Sequence, residues 1–207
     1  MYFCDVGNTN ATLYKDGKIW SIRAFELGTF KARERVFYIN VNSSMEEILK
    51  DKRNFVDLGP HFDFDTDYKG MGIDRICACY SIQDGVIIDA GTAITIDLMS
   101  GGRHAGGFIL PGISALLDTF AKISPSLNVD LKTNMDLDAL PMDTRSAVSY
   151  GVIKPILLSI NDICKDEKIF FTGGDGAFLS RFFPKSIYKR GLVFDGMKQL
   201  VKEIISS

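Results

Sequence analysis

The alternation of apolar and polar positions predicts two short β-meanders along the chain. Each begins with an apolar strand that ends in an acidic residue, Asp5 in the first meander and Asp89 in the second. A glycine-containing loop, an extended stretch, a glycine turn and a third extended segment follow each strand. Asp5 and Asp89 are 84 positions apart, as are Gly7 and Gly91. We interpret this pattern as an internal duplication, with coincidence over so few residues as the alternative.

Apolar residues recur at helical spacing after each meander. A Ser-x-x-Glu pattern predicts a capped helix after the first meander, and a longer helix is predicted to begin near Asp143 or Thr144. Pro155 is expected to kink that helix. Its broad apolar surface is typical of a core helix, and a subunit contact is the alternative. Alternating strands and helices indicate an α/β protein. The predicted helices lie at about residues 43–54, 75–80, 113–123, 143–164 and 177–182.

Composition and charge exclude several classes of protein. The 207 residues carry 24 Lys and Arg against 26 Asp and Glu, a net charge of −2 that gives no general attraction to nucleic acid or an anionic membrane. The four cysteines form no Cys-x-x-Cys pair, which favours buried thiols in a reducing cytoplasm. No signal peptide is recognisable, and no apolar run reaches the roughly 20 residues that span a bilayer. We therefore expect a cytoplasmic protein with neither a nucleic-acid nor a membrane partner.

Three glycine-bearing loops at strand ends are candidate phosphate-binding sites. Neither G-x-x-x-x-G-K-[ST] nor G-x-G-x-x-G opening a helix is present. Glycine lets backbone N–H groups approach phosphate oxygens, and Asn and Thr side chains add donors. Loops from two similar lobes could bind a polyphosphate from opposite sides. The three loops are Asp5-Val6-Gly7-Asn8-Thr9, Asp89-Ala90-Gly91-Thr92 and Thr172-Gly173-Gly174-Asp175.

The carboxylates in these loops need an explanation if the ligand is a phosphate. Asp5 or Asp89 at roughly 4 Å from a phosphate would cost about 4 kcal/mol at an effective dielectric of 20. A hard cation such as Mg²⁺ removes the conflict, because it bridges phosphate oxygens and carboxylates. Each Asp could alternatively be a simple turn former at a strand end. Their occurrence as a pair in a repeat favours the functional interpretation.

A second chemical motif is Gly72-Ile73-Asp74-Arg75. Asp74 could cap the helix that follows it. The alternative is a general base that accepts a hydroxyl proton while Arg75 binds an anionic group of the same substrate. The residues alone leave both interpretations open.

Five motifs in order along the whole chain resemble those of type III pantothenate kinases. Each motif is short, and the order and spacing of all five make the resemblance specific. The motifs are Asp5-Val6-Gly7-Asn8-Thr9, Gly72-Ile73-Asp74-Arg75, Asp89-Ala90-Gly91-Thr92-Ala93-Ile94-Thr95-Ile96-Asp97, Gly106-Gly107-Phe108-Ile109-Leu110-Pro111-Gly112 and Thr172-Gly173-Gly174-Asp175.

The resemblance implies the fold of the acetate and sugar kinase, heat-shock chaperone and actin superfamily. That fold is a duplicated ribonuclease H-like α/β fold with two lobes around a nucleotide cleft. It implies an N-terminal lobe over residues 1–82 and a C-terminal lobe with dimerisation helices over residues 83–207. The implied reaction is transfer of the γ-phosphoryl group of ATP to pantothenate, which gives 4′-phosphopantothenate in the first step of coenzyme A synthesis.

The resemblance also implies roles for individual residues. Asp74 would be the general base, Asp5 would lie near Mg²⁺, Asp89 would bind a monovalent cation, K⁺ or NH₄⁺, and Thr144 would reach pantothenate across a homodimer interface. The implied ATP-binding residues are Asp5, Val6, Gly7, Asn8, Thr9, Asn10, Ala11, Thr12 and Thr92, and the implied pantothenate-binding residues are Tyr68, Gly72, Ile73, Asp74, Arg75 and Thr144.

Two other classes of function are compatible with such a fold. A nucleotide-dependent switch or assembly ATPase of the same superfamily would need subdomains for which this chain is too short, and it would leave Asp74 and Arg75 without a role. A regulatory protein that keeps the fold as a ligand sensor should have lost its carboxylates. Since Asp5, Asp74 and Asp89 are all present, the enzyme is favoured.

Overall fold

The computed structural model describes residues 1–164 and 167–206, and within them it contains ten strands and six α-helices. The strands are β1 (Tyr2–Val6), β2 (Asn10–Lys15), β3 (Lys18–Arg23), β4 (Val36–Asn40), β5 (Phe55–Asp57), β6 (Gly85–Ala90), β7 (Ala93–Ser100), β8 (Arg103–Pro111), β9 (Ile169–Thr172) and β10 (Ile187–Tyr188). The α-helices are α1 (Glu46–Lys50), α2 (Ile73–Tyr80), α3 (Ile113–Ile123), α4 (Thr144–Cys164), α5 (Gly176–Leu179) and α6 (Leu192–Ser206).

The strands form two five-stranded sheets with the same internal order. The first sheet has the order β3-β2-β1-β4-β5, and the second has the order β8-β7-β6-β9-β10. β1 is parallel to β4 and β6 is parallel to β9, and the outer strands β5 and β10 are parallel to their neighbours. This order is that of a ribonuclease H-like sheet, and its repetition confirms the predicted duplication and the α/β class.

The hairpins of the two sheets have the same kind of two-residue turn, but the turn is displaced by one position relative to the 84-residue repeat. Both central residues have positive φ in each turn, Asp16 (47°) and Gly17 (82°) in the first, Gly101 (57°) and Gly102 (79°) in the second. Such two-residue turns match the twist of a hairpin and require Gly, Asn or Asp. The equivalent turn residues are thus 85 positions apart rather than 84. The loop after β6 is one residue shorter than that after β1, whereas β7 has 8 residues and β2 has 6.

The contacts within the chain define two compact units. One comprises Met1–Gln83, Met99–Gly106 and Gly191–Ser207, and the other comprises Asp84–Leu98 and Gly107–Arg190. This division differs from a single boundary after residue 82, because α6 packs against α2 and therefore joins the N-terminal unit. The packing is close at Gly196, where an added Cβ would overlap the carbonyl oxygen of Cys77.

Each unit has its own hydrophobic core. The core of the N-terminal unit includes Val6, Leu13 and Leu27, and that of the C-terminal unit includes Ile88 and the buried face of α4. The four cysteines lie in the described part of the chain as buried thiols outside any disulfide, as expected from their apolar surroundings.

Two helix predictions need correction. α1 begins with a 3₁₀ turn (Ser43–Met45) that is capped by Asn42, whose side chain accepts a hydrogen bond from the Ser44 N–H, and it ends at Lys50 rather than near residue 54. The expected Ser–Glu capping box is therefore wrong. α4 is long and apolar enough, by length and composition, to cross a membrane, which the sequence interpretation excluded for every segment. In the structure α4 contributes a buried face to the core of the C-terminal unit.

Candidate active site

The loop after β1 is a tight turn whose polar side chains are exposed. The Gly7 N–H donates to the Asn10 carbonyl oxygen at 3.0 Å, and Asn8 and Thr9 are exposed between them. Val6 and Ala11 are fully buried in the core, so only their main-chain groups could face a ligand. The loop thus has the open, glycine-bearing form that suits phosphate oxygens.

Two asparagines that were not singled out in the sequence fix this loop from the neighbouring strand. Asn42 is 8% exposed, and its Nδ2 donates to the carbonyl oxygens of Gly7 (3.3 Å) and Asn8 (3.0 Å). Asn40, at the end of β4, holds Asn42 in place by accepting from its N–H and donating to its carbonyl oxygen, both at 3.0 Å. Because β1 and β4 are parallel, their carboxyl ends meet at one edge of the sheet. The Asn-x-Asn pair that follows an apolar strand was the available signal.

Asp74 lies in the first turn of α2, where Gly72 is the N-cap residue. The Asp74 carboxylate Oδ1 accepts from the Arg75 N–H at 2.8 Å. A Cβ at Gly72 would lie 2.5 Å from the same Oδ1, so a glycine there leaves room for the carboxylate. Asp74 therefore lies inside the helix and the N-cap position is Gly72, while the Asp74 carboxylate still accepts from one N–H of the first turn.

In addition to burial, the negative charges of Asp5 and Asp74 both raise the pKa of one buried thiol, that of Cys77. Burial raises the pKa of Cys77, and the negative charges of Asp5 and then Asp74 raise it further. Burial followed by the charge of Asp5 likewise raises the pKa of Cys4. The two carboxylates therefore act on one region of the N-terminal unit, between the end of β1 and the start of α2.

An aromatic ring lies beside the buried arginine of this motif. Arg75 is 5% exposed, and its guanidinium carbon is 4.7 Å from the centroid of the Tyr68 ring. Ile73, half-buried, begins α2 directly after Gly72. The structure thus brings together, within the N-terminal unit, the five residues that the resemblance implied for pantothenate in this part of the chain. They are Tyr68, Gly72, Ile73, Asp74 and Arg75.

The C-terminal unit has an equivalent site around Asp89, built by close backbone approach. Gly173 has φ of +82°, and a Cβ on it would overlap the Ala90 carbonyl oxygen and the Asp89 carboxylate. The Asp175 N–H donates to the same Ala90 carbonyl oxygen at 2.9 Å, and burial raises the pKa of Asp175. Asp89 and Thr172 are paired in register, which brings the third glycine loop beside the second.

The short loop after β6 is closed by its own glycine and by the start of α3. The Gly91 N–H donates to the Ala93 carbonyl oxygen at 2.9 Å, and the Gly112 N–H donates to the Thr92 carbonyl oxygen at 3.0 Å. Thr92 itself is exposed. The motif that ends at Gly112 therefore supports the loop that carries Thr92.

Thr144 is exposed at the first residue of α4. Asp143 caps this helix by accepting from the Ser146 N–H at 2.8 Å and from the Ser146 hydroxyl at 2.7 Å. These hydrogen bonds lower the pKa of Asp143. The preceding segment exposes Leu140 (80%) and Met142 (96%).

Among residues 1–164 and 167–206, no group of three or more His, Cys, Asp or Glu side chains could hold a metal ion. The carboxylates of Asp5 and Asp89 are nevertheless hard oxygen donors of the kind that Mg²⁺ and K⁺ take.

Comparison with known proteins assigns the family. The family model described as type III pantothenate kinase matches residues 38–166. A Campylobacter jejuni type III pantothenate kinase is 49% identical over 203 residues, which cover 98% of this chain and 97% of the relative.

Two solved structures agree with the fold. A Campylobacter jejuni protein, described as a conserved Baf family transcriptional activator, matches with a TM-score of 0.93 and 46% identity over the full length of both chains. A Sinorhizobium meliloti protein, described as a 2-dehydro-3-deoxygalactonokinase, matches with a TM-score of 0.59 over 98% of this chain and 96% of its own, at 11% identity, a likeness of fold alone. The chain has a duplicated ribonuclease H-like fold and belongs to the type III pantothenate kinase family, a family of ATP-dependent kinases.

Proposed function

We propose that this chain transfers the γ-phosphoryl group of ATP to the primary hydroxyl of pantothenate, forming 4′-phosphopantothenate for coenzyme A synthesis. The observation that carries the proposal is that Asp74 and the buried Arg75 are neighbours in the first turn of α2, with the Tyr68 ring beside the Arg75 guanidinium. A substrate with both a hydroxyl and a carboxylate suits that pair. The family, whose relatives match over nearly the whole chain, supports pantothenate as that substrate.

In the proposed reaction Asp74 accepts the proton of the attacking hydroxyl. Arg75 binds the carboxylate of pantothenate, with Tyr68 and the main chain of Gly72 and Ile73 forming the rest of the site. Alignment and neutralisation of charge supply most of the catalysis in phosphoryl transfer, so one base on a fixed helix turn is sufficient.

The loop from Asp5 to Thr12 is proposed to hold the phosphates of ATP. The exposed Asn8 and Thr9 donate to phosphate oxygens, and Thr92 makes a further contact with ATP. Asp5 holds Mg²⁺, directly or through water, and the cation neutralises the phosphate charge when bound. Asp89 binds K⁺ or NH₄⁺.

We also propose a homodimer in which Thr144 completes the pantothenate site of the partner subunit. The exposed apolar side chains of Leu140 and Met142, just before α4, support an interface at this end of the helix. The four cysteines are buried thiols outside any disulfide, which supports a reducing, cytoplasmic location.

The test is ADP release from ATP, Mg²⁺ and K⁺ with and without pantothenate. We expect ADP only with pantothenate, and Asp74→Asn should lower turnover by at least about 10²-fold, the lower range for loss of a general base, while ATP still binds. Asp51→Asn, an exposed carboxylate at the end of α1, is the matched control and should leave turnover unchanged. Full activity in Asp74→Asn would remove Asp74 as the base.

A regulatory role is the alternative, because the Campylobacter jejuni structure with 46% identity is described as a transcriptional activator. That role predicts DNA binding that weakens with salt, and no pantothenate-dependent ADP. Titration of labelled duplex DNA with the protein, beside the ADP assay, separates the two functions.

A further inference from the structure

His104 is a buried histidine in the N-terminal unit that the proposed reaction does not use. It is 2% exposed near the start of β8, and its Nδ1 is 2.7 Å from the Thr66 hydroxyl oxygen. Its ring lies 5.8 Å from the Phe64 ring and 6.0 Å from the Tyr68 ring, between centroids. These three contacts all lie on one short segment, residues 64–68.

The segment from Phe62 to Tyr68, which includes these contacts, alternates strictly between half-buried and exposed side chains. Phe62, Phe64, Thr66 and Tyr68 are half-buried, and the aspartates between them are exposed. The alternation is that of an extended strand with one packed face. The outward Asp65 and Asp67 pair with Arg103, the neighbour of His104, at 3.2 and 2.5 Å.

Main-chain contacts join the same partners. Thr66 and His104 form a parallel bridge, and the His104 N–H donates to the Asp65 carbonyl oxygen at 3.0 Å. The Thr66 hydroxyl oxygen then accepts from the Tyr68 N–H at 3.0 Å. One hydroxyl thus links the buried imidazole to the backbone of Tyr68.

Tyr68 in turn lies against the Arg75 guanidinium, 4.7 Å away. Arg75 is buried and Tyr68 is half-buried, and a cation–π contact is worth more there than on an exposed surface. The contacts therefore run from His104 through Thr66 and Tyr68 to the arginine of α2.

We propose that His104 is a positioning residue that, through Thr66, fixes Tyr68 against Arg75 and thereby sets the affinity for the acid substrate. The identity of that substrate rests on the proposed function. A histidine that merely fills the core would affect stability without distinguishing the two substrates.

The kinetic test uses variants that separate ring packing from hydrogen bonding. His104→Phe keeps a ring without Nδ1, and Thr66→Val removes the hydroxyl at nearly constant shape. We expect each to raise the KM for pantothenate about tenfold, the factor for about 1.4 kcal/mol, with the KM for ATP unchanged. His104→Asn, whose amide can take the place of Nδ1, and Thr66→Ser should restore most of the affinity.

A double variant, in which both His104 and Thr66 are replaced, tests whether the two residues act through their shared hydrogen bond. Because both residues act through one hydrogen bond, the double variant should be no weaker than either single variant. Thr119→Val, which removes a hydroxyl that donates to the Ala115 carbonyl oxygen on α3, is the control and should change neither KM.

A second measurement does not need turnover. Hydrogen exchange at the Tyr68 amide, followed by NMR without substrates, should quicken about fivefold in His104→Phe and Thr66→Val and return towards normal in Thr66→Ser. Unchanged exchange at the Tyr68 amide in both variants would overturn the proposal. Equal rises in the KM values for pantothenate and ATP, in proportion to a loss of thermal stability, would also overturn it. If the native protein forms no ADP with pantothenate, the proposed function fails, and the exchange result still decides the role of His104.

Discussion

The loops after β1 and β6 follow equivalent strands, but the neighbouring strand holds each one by different means. In the N-terminal unit, the side-chain amide of Asn42 donates to the carbonyl oxygens of the loop. In the C-terminal unit, the backbone at Gly173 approaches so closely that no Cβ fits. A duplicated fold has thus kept the position of these two loops while changing what supports them.

The difference predicts where each loop tolerates substitution. In the loop held by amide hydrogen bonds, Asn8 and Thr9 are exposed, and an added Cβ at Gly7 would lie 3.1 Å from the nearest atom. A loop held by backbone contact at Gly173 and Gly112 cannot accept even a methyl group.

The largest effect is expected at Gly173. In Gly173→Ala the positive φ costs about 1–2 kcal/mol, and overlap with the Ala90 carbonyl oxygen and the Asp89 carboxylate adds to it. We expect a loss of about 3 kcal/mol in urea unfolding, together with loss of turnover. Gly174→Ala is the matched control, since nothing lies within 4 Å of its added Cβ, and it should stay within about 0.5 kcal/mol. Equal losses in the two variants would contradict the close approach.

The second-largest effect is expected at Gly112, compared with Gly7 of the first loop. A Cβ at Gly112 would lie 2.5 Å from the Thr92 carbonyl oxygen, whereas one at Gly7 would lie 3.1 Å from that of Asn10. Gly112→Ala should therefore cost about 1–3 kcal/mol of unfolding free energy, and Gly7→Ala less than about 1 kcal/mol. Chemical denaturation of both variants measures the difference. A larger loss at Gly7 would reverse the contrast between the loops.

The third prediction concerns the amide support of the first loop. Asn42→Ala leaves two carbonyl oxygens without their donor, which costs about 1–3 kcal/mol. Because those oxygens belong to the proposed phosphate loop, the KM for ATP should rise about tenfold, and that for pantothenate should stay constant.

Asn54→Ala is the control for that variant. Asn54 Nδ2 likewise donates to two carbonyl oxygens, those of Ala32 (2.8 Å) and Glu34 (3.0 Å), but in another loop of the same unit. It should lose stability by a similar amount with no change in either KM. If both variants raise the KM for ATP equally, Asn42 acts only on general stability.

The smallest effect is expected at the hairpin turns. Asp16 and Gly101 hold the same position with positive φ in the two units. Asp16→Gly stabilises the folded state by removing the strain of a side chain at positive φ. It also destabilises the protein by increasing the conformational entropy of the unfolded chain, so the two effects on the unfolding free energy oppose each other. We expect a change within about 0.5 kcal/mol by thermal unfolding. A loss above about 1 kcal/mol would mean that the Asp16 side chain stabilises the turn.

The sequence predicted the features that depend on local pattern. Strand β1 and its counterpart β6 were recognisable from apolar runs, and both hairpins were recognisable from their turn glycines. The structural role of Asn42 was missed because Ser43 and Ser44 with the following glutamates form a more familiar capping pattern. The choice between these caps depends on a loop 35 residues away in sequence, which local preference does not describe.

Contacts between distant segments explain the other misses. The burial of His104 depends on a partner segment 38 residues earlier, and no pattern in the neighbouring sequence indicates it. The alternation of aromatic and acidic residues over 62–68 was the signal for that partner. The return of α6 to the N-terminal unit depends on its packing against α2 and leaves no local signal.

The central claim is that this chain phosphorylates pantothenate with the carboxylate of Asp74 as base. The most direct measurement is transfer of labelled γ-phosphate from ATP to pantothenate, with the product identified by mass as 4′-phosphopantothenate. We expect labelled product from the native protein with Mg²⁺ and K⁺, and none above background from Asp74→Asn. Label appearing only as inorganic phosphate, whether or not pantothenate is present, would contradict it.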